Sequence, residues 1–188
     1  MSVQPQAGPS VRMNVDEFLV WAEGQPGRYE LVDGEVFALS PERVRHAETE
    51  LATYQALGAA IRAAGLPCRV LPEGVTVRMD ASASFEPDAL VYCGERLDPD
   101  ASAVPEPVII VEVLSPRTEH VDTGAKLLGY FRLPSLRHYP ILDTERCTVI
   151  HHRRGDGELI ETRLISSGDL SLDPPGLTLP VAALFAEP

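Results

Sequence analysis

The feature that most constrains the fold is a glutamate inside the most apolar segment of the chain. Residues 107–114 read Pro-Val-Ile-Ile-Val-Glu-Val-Leu. A short run rich in β-branched residues is typical of a buried strand, because such side chains pack well on a pleated sheet. A carboxylate at Glu112 is costly in that setting unless a cation, a metal ion or a strong donor meets it. The segment therefore predicts a buried strand that carries a charged site.

One cation of an unusual type follows this strand closely in the sequence. Lys126 is the only lysine among sixteen lysines and arginines. Lysine differs from arginine in hydration, donor geometry and the ease with which its pKa shifts, so a lone lysine can be present for its chemistry. The alternative is that one lysine is a remainder of composition, and composition alone leaves both interpretations open.

Length and composition indicate a single globular domain. The chain has 188 residues, of which 44% are hydrophobic and 23% charged, so we expect a tail at residues 1–13 that is disordered and one domain at 14–188.

No apolar stretch is long enough for a membrane span and the first residues lack signal-peptide features, which favours a cytoplasmic protein. Cys68, Cys93 and Cys147 share no ligand spacing, and we expect buried, reduced thiols. The net charge of −12 argues against a broad phosphate-binding surface without excluding a local one.

Helical and strand patterns interleave along the chain, and hairpins stand near both ends. Pro140 would remove a ladder donor, so we expect its strand to lie at a sheet edge or to begin there. The fold class predicted is α/β, with a mixed central sheet flanked by helices and additional β-hairpins. The predicted elements are a helix from Asn14 to Gly24, a hairpin over 28–39, a long helix from Ser40 to Gly65, strands near 75–79, 88–92 and 107–114, a helix over 121–133, strands near 141–143, 147–151 and 159–165, and a small helix near Val181.

Three acids and the lysine form the predicted chemical site. Glu30 lies in the first hairpin, Asp88 opens a strand after a proline, Glu112 is in the apolar strand, and Lys126 lies on the next helix. If the strands of Asp88 and Glu112 are neighbours, their carboxylates can converge on one hard divalent cation such as Mg²⁺. Lys126 can then orient a water or stabilise charge on a phosphate.

An ordered string of motifs resembles the Uma-two family of restriction endonucleases, which belongs to the PD-(D/E)xK nuclease superfamily. The resemblance covers about residues 14–150, and its strength lies in the order of the pieces, since each is short. The pieces are YELVDGE at 29–35, Ser-Pro at 40–41 with His46, Pro-Asp at 87–88, VEVLSP at 111–116, and Asp122, Lys126 and Tyr130.

The resemblance implies a restriction-endonuclease-like core that hydrolyses nucleic-acid phosphodiester bonds, DNA being the expected substrate, with Mg²⁺ or Mn²⁺ as the cofactor. Asp88 matches the acid of the PD motif and Glu112 the acid of the (D/E)xK half. The backbone carbonyl of Val113 is implied as a further metal ligand. Glu30 matches an early acid that binds or supports the metal, and a homodimer is expected.

Two departures from the family pattern accompany the resemblance. Leu114 occupies the position of the superfamily lysine, so Lys126 is identified as the lysine displaced to the following helix. The strand after that helix has HYPILDT at 138–144 where the family usually has Glu-Tyr-Trp, an apolar pair and Asp-Pro, which leaves the pairing of that strand in question.

Less specific interpretations stay open beside this one. Glu112 and Lys126 can form a buried ion pair in a protein that keeps the fold as a binding or regulatory module. Asp122 and Lys126, four residues apart, can be an ordinary helix-surface pair. His46 can reach the site from the start of the long helix, but a lone histidine in such a position is more often incidental. A carboxylate-pair hydrolase acting on sugars is a third possibility, and it requires Asp88 and Glu112 on different faces.

Overall fold

The fold is built on a six-stranded sheet and a four-stranded sheet, with a further hairpin near the C-terminal end. The computed structural model describes residues 12–114, 124 and 126–185. The helices are α1 (Val15–Glu23), α2 (Val44–Ala64), α3 (Leu127–Tyr130) and a 3-10 helix (Val181–Leu184). The strands are β1 (Tyr29–Val32), β2 (Glu35–Ala38), β3 (Cys68–Pro72), β4 (Val77–Arg78), β5 (Ser84–Phe85), β6 (Ala89–Cys93), β7 (Ile109–Leu114), β8 (His138–Asp143), β9 (Thr148–Arg154), β10 (Ile160–Ile165), β11 (Asp169–Leu172) and β12 (Leu177–Pro180).

The six-stranded sheet is mixed, as predicted. Its order is β10-β9-β8-β7-β6-β3, and β7 pairs with β8 in parallel while the other described neighbours are antiparallel. The apolar run therefore forms a central strand with a neighbour on each side. The four-stranded sheet has the order β2-β1-β5-β4 and brings the first hairpin against the chain that leads into β6.

The two faces of β7 have different surroundings because successive side chains of a strand point to opposite sides. Ile109, Val111 and Val113 belong to the apolar core shared with α2. Ile110 belongs to a second core, rich in aromatic side chains, beneath α3. Glu112 has the parity of Ile110, so its carboxylate points to the side of α3. Full burial of each aliphatic side chain contributes about 1.5–3 kcal/mol, which holds this strand in place around the charge.

The first helix and hairpin form as the sequence predicts. Asn14 accepts a hydrogen bond from the Glu17 amide, and the Glu17 carboxylate accepts one from the Asn14 amide, each at 2.9 Å. This reciprocal capping begins α1. The hairpin turns through Asp33 and Gly34 at φ of 48° and 82°, as a tight two-residue turn requires. Of the predicted N-terminal tail, residues 1–11 lie outside the described residues.

The long helix differs from the prediction at its start, and the first half of its buried face is polar. It begins at Val44, with Arg43 at the N-cap and no side-chain capping bond, so the predicted start at Ser40 is wrong. In its first half the buried positions are polar, and Leu51 is 57% exposed. Thr53 donates to the Leu184 carbonyl at 3.0 Å. The polar buried face follows from what lies beneath it, a cluster of titratable groups rather than apolar core.

The strand that contains Pro140 is interior and begins at His138, so the prediction of an edge position or of a start at Pro140 is wrong. The β7–β8 ladder has partners at Ile109↔His138 and again from Glu112↔Ile141, and it skips two residues, Tyr139 and Pro140, between them. The gap falls where proline supplies no N–H. The antiparallel ladder to β9 continues through Pro140↔His151, and this side keeps the strand in the sheet. Despite its departure from the family pattern, this segment therefore pairs on both sides.

Within the described residues, the helix predicted over 121–133 appears as α3, Leu127–Tyr130, with helical conformation also at Gly124 and Lys126 and turns that follow to Leu133. Val121 and Asp122 lie outside the described residues, and so does the predicted Asp122–Lys126 pair.

The prediction of three buried, reduced thiols is wrong. Cys68 and Cys93 face each other in the β3–β6 register and form a disulfide, and Cys147 is an exposed free thiol. Sequence spacing could not show this pairing, because it depends on which strands become neighbours. The cytoplasmic location stays a prediction, without the support of reduced thiols.

Candidate active site

A buried cluster joins Glu112, Lys126, Glu30 and Tyr130. The Lys126 ammonium donates to both Glu112 carboxylate oxygens at 3.0 Å and lies 3.0 Å from Glu30 Oε1. The Tyr130 hydroxyl donates to Glu112 Oε1 at 2.7 Å. The three charged residues are 4–6% exposed. The buried carboxylate of the apolar strand thus has the cation and the donor that its burial requires.

Three separate elements supply this cluster. Glu112 comes from the centre of β7, Lys126 immediately precedes α3, and Glu30 comes from β1 of the smaller sheet. The Glu30 carboxylate also accepts a hydrogen bond of 3.1 Å from the Glu86 amide, which fixes the hairpin against the approach to β6. Burial, and then the negative charges of Glu112 and Glu30, raise the pKa of Tyr130, so its phenol stays protonated and acts as a donor.

A second cluster gathers Glu42, His46, Glu50 and Asp88. One potential ligand atom from each lies within 4.8 Å of all the others. His46 Nε2 is 3.2 Å from Glu50 Oε1, 3.6 Å from Asp88 Oδ2 and 3.9 Å from Glu42 Oε2. The first three of these residues follow the helical spacing of four, which places them on one side of α2 and its entry.

Three polar atoms of the second cluster are buried without a well-formed hydrogen bond. Both ring nitrogens of His46 and Oε1 of Glu50 have no partner in hydrogen-bonding geometry among the described residues. Burial opposes charge on His46, but the nearby acceptor oxygens and negative charges of Asp88 and Glu50 outweigh it and raise the pKa of His46 to about 10. A site that draws a proton so strongly is also suited to draw a cation.

Asp88 connects the two clusters. Its Oδ2 accepts a hydrogen bond of 2.5 Å from the Val113 amide, next to Glu112 on β7. Burial raises the pKa of the Asp88 carboxyl; His46 counters this shift, Glu50 adds to it, and Lys126 opposes it from the first cluster. The charge of Lys126 therefore acts on both clusters.

The structure brings the predicted acids and lysine to one region, in two adjoining groups. Glu30, Glu112 and Lys126 share one group, while Asp88 lies in the other and reaches β7 through the Val113 amide. Asp88 lies just before β6, beyond the last pair of the β6–β7 ladder, Ala89↔Val111, and its carboxylate lies between His46 of α2 and the Val113 amide.

Sequence reasoning missed Glu42 and Glu50, and it considered a role of His46 in the site but favoured an incidental one. The available signal was the spacing of four residues between Glu42, His46 and Glu50, with apolar positions interrupted on that side of the helix. Glu50 is 8% exposed and His46 9%. A helical face that buries polar residues indicates a site beneath it.

Arg28 attaches the entry of α2 to the first hairpin. Its guanidinium contacts Glu42 at 2.9 Å and Glu86 at 2.7 Å, and also pairs with Glu73. Burial opposes the charge, but these carboxylates hold the pKa of Arg28 above its usual value. One carboxylate oxygen of Glu42 is therefore held by Arg28 while the other faces His46.

The second cluster fits a divalent cation by its donor chemistry. Three carboxylates and one imidazole converge, and two of the four side chains have buried atoms that lack well-formed hydrogen bonds. Mg²⁺ prefers oxygen ligands, whereas an imidazole favours first-row metals such as Mn²⁺.

No helix among the described residues is long and apolar enough to cross a membrane.

The chain is similar to known proteins in both sequence and fold. A protein of Synechocystis, "Uncharacterized protein slr1290", is 24% identical over 187 residues, which are 98% of this chain and 97% of the relative. A crystal structure from Anabaena variabilis, described as "a putative nuclease belonging to DUF820", superposes with a TM-score of 0.72 at 17% identity, over 92% of this chain and 97% of that one. This likeness shows a shared nuclease-like fold.

The family assignment comes from a match along most of the chain. Residues 15–182 match the family model Uma2, described as "Putative restriction endonuclease". The match contains both clusters and all three sheets. The chain therefore belongs to the Uma2 family.

Proposed function

We propose that the protein is a divalent-metal-dependent endonuclease that hydrolyses phosphodiester bonds of a nucleic acid, with DNA as the first substrate to test. The observation that carries the proposal is the convergence of His46, Glu50 and Asp88, with buried atoms that lack well-formed hydrogen bonds, beside the Glu112–Lys126 pair. Strong perturbation of neighbouring titratable groups is typical of catalytic sites.

In this proposal the metal ligands are Asp88, His46, Glu50 and Glu42. A bound divalent cation would polarise a phosphate oxygen and lower the pKa of a water. Because an imidazole is among the donors, we expect Mn²⁺ to bind more tightly than Mg²⁺. The resemblance to the family adds three further proposed metal ligands, the carboxylates of Glu112 and Glu30 and the backbone carbonyl of Val113.

Lys126 contributes fixed positive charge in this mechanism. Glu112 and Glu30 hold its ammonium from two sides, and Tyr130 holds Glu112. A cation positioned before substrate binds costs little reorganisation when negative charge develops on the phosphate. Burial of the site also strengthens that interaction relative to water.

The first experiment measures metal binding directly. Mn²⁺ is titrated calorimetrically into the chelator-treated wild type, Glu50→Gln, and Glu48→Gln as a matched control on the exposed side of the same helix. We expect wild type and Glu48→Gln to bind alike and Glu50→Gln to bind at least about tenfold more weakly. Equal affinities in all three would refute the metal site.

The second experiment measures cleavage. Supercoiled DNA, single-stranded DNA and RNA are incubated with the wild type and Mn²⁺, with Asp88→Asn as the inactive comparison. Cleavage by the wild type alone supports the proposal.

A second candidate function is a non-catalytic binding or regulatory module with the same fold. The net charge of −12 favours it, because binding of nucleic acid depends on basic groups that neutralise phosphates. Metal binding by the wild type without cleavage of any of the three nucleic acids identifies the module rather than the enzyme.

A further inference from the structure

Strand β10 is an open edge of the six-stranded sheet. It ends the strand order and has β9 as its ladder neighbour in the part of the chain that the structure describes. Ile160 is 36% exposed and Leu164 73% exposed. An exposed edge strand presents unpaired N–H and C=O groups that can pair with another chain.

The sequence of this strand is self-complementary when read in opposite directions. Residues 160–164 are Ile-Glu-Thr-Arg-Leu, with apolar residues at both ends, opposite charges inside them and a threonine at the centre. In an antiparallel copy centred on Thr162, Ile160 lies opposite Leu164 and Glu161 lies opposite Arg163. We propose that β10 pairs with β10 of a second copy of this chain and joins the two sheets into one.

The charges of β10 are arranged for such a partner. Within one copy, Glu161 contacts Arg153 of β9 at 2.8 Å, whereas Arg163 is 4.0 Å from the same carboxylate and its side chain is 69% exposed. In the paired sheet, Arg163 of each copy faces Glu161 of the other. Each acid then lies between two arginines across adjacent strands, and opposite charges in directly facing positions stabilise a sheet.

The apolar residues of β10 lie on its other face and gain contacts in the same register. Ile160, Thr162 and Leu164 alternate with the charged residues. Across the two-fold axis, Leu164 of one copy covers Ile160 of the other on both sides of the central threonines. Exposed apolar area is thus removed from water at the same time as the ion pairs form.

The opposite edge of the sheet is less suited to this role. Strand β3 contains Pro72, which has no N–H to donate, and Cys68, which is tied to β6. Proline is one of the features that protect sheet edges from pairing. The inference is therefore specific to β10, and it stands whether or not the protein is a nuclease.

A single pair of six-residue strands is smaller than a standard interface of about 1,200–2,000 Å². We therefore expect a reversible dimer with a Kd on the order of micromolar.

Sedimentation velocity over a dilution series of the full chain measures this Kd. Arg163→Glu and Glu161→Arg each place like charges opposite each other twice, and each is expected to weaken the dimer about tenfold or more. Arg69→Glu, on the exposed side of β3, is the matched control and should dimerise as the wild type does.

Mixing the two variants is the decisive step. The Glu161→Arg chain carries two arginines on β10 and the Arg163→Glu chain carries two glutamates, so a strand of one against a strand of the other has opposite charges at every facing position. The mixture should therefore form a heterodimer although each variant alone dimerises poorly.

Retained circular dichroism and melting temperature check that each variant is folded. Glu161→Arg can fail this check because the new arginine lies beside Arg153. In that case the comparison of the Arg163→Glu dimer with the wild-type dimer decides. A wild type that stays monomeric, a dimer indifferent to Arg163→Glu, or a mixture of folded variants without heterodimer would each overturn the proposal.

Discussion

The carboxylate of Asp88 accepts a 2.5 Å hydrogen bond from the backbone amide of Val113. The β6–β7 ladder ends at Ala89↔Val111. Beyond this pair, the Asp88 side chain rather than the main chain bonds to β7. This bond fixes the candidate metal ligand Asp88 beside Glu112 in a set register. The same carboxylate therefore has a structural and a proposed functional role, and substitutions can separate the two.

Asp88→Asn is expected to keep the fold and lose the metal. Its amide oxygen can still accept from Val113, so the free energy of unfolding should fall by less than about 1.5 kcal/mol, while affinity for Mn²⁺ falls at least about tenfold. Asp88→Leu removes the acceptor and leaves the buried Val113 amide unpaired, which costs a further 1–3 kcal/mol or so. Urea unfolding with chelator and Mn²⁺ calorimetry measure the two effects. Equal stability of the two variants would contradict the structural role.

Lys126→Met should destabilise the protein more than the loss of one contact suggests. It leaves Glu30 and Glu112 buried beside each other without the ammonium, and breaking a buried charge pair costs about 3–5 kcal/mol. Lys126→Met combined with Glu112→Gln should cost less than the sum of the two single changes, because one of the stranded charges is removed as well. Urea unfolding of the four proteins in this cycle provides the measurement, and strict additivity would contradict the proposed charge coupling.

Sequence reasoning was strongest where a physical penalty required a partner. Glu112 in an apolar strand had to meet a cation, and the structure gives it Lys126. Reasoning was weakest on α2, because apolar periodicity finds apolar faces and the buried side of that helix carries His46 and Glu50. The edge position of Pro140 was wrong for a related reason. A local rule about one missing donor could not foresee a ladder that skips two positions on one side of the strand while the ladder on the other side continues.

The Cys68–Cys93 disulfide was beyond sequence reasoning, and its contribution to stability can be measured. It closes a loop with a sequence separation of 25, for which chain entropy predicts a stabilisation of about 3.5 kcal/mol. Cys68→Ser with Cys93→Ser, or reductant added to the wild type, should lower the free energy of unfolding by about that amount. Cys147→Ser is the matched control. Its free energy of unfolding should equal that of the wild type both with and without reductant. A wild type whose unfolding is indifferent to reductant would contradict the prediction.

The last prediction concerns acid sensitivity at the far side of the sheet. His138 Nδ1 and His151 Nε2 lie 2.9 Å apart in a hydrogen bond, and His138 Nε2 is 3.0 Å from the Pro174 carbonyl. Burial lowers the pKa of His138 to about 4, and burial together with His138 and Arg153 lowers that of His151 to about 3. Both rings are therefore neutral in the folded protein at about pH 5 to 6.5. In the unfolded chain the same two histidines have an ordinary pKa of about 6.5 and bind protons in this range.

The sign of the pH dependence follows from this difference. Because the unfolded state binds more protons, stability is fully present above about pH 6.5 and falls as the pH drops toward 4 and 3, by up to about 1.4 kcal/mol per pH unit for each histidine. Urea unfolding in chelator at a series of pH values between neutral and acidic measures the slope.

His151→Gln has a side-chain amide that can hydrogen-bond and does not titrate, so the slope of its unfolding free energy against pH should be shallower than that of the wild type. His46→Gln is the control, since a pKa raised to about 10 leaves His46 protonated in both states below about pH 5.5 and adds no slope there. A slope unchanged in His151→Gln, or reduced only in His46→Gln, would show that the acid sensitivity arises elsewhere.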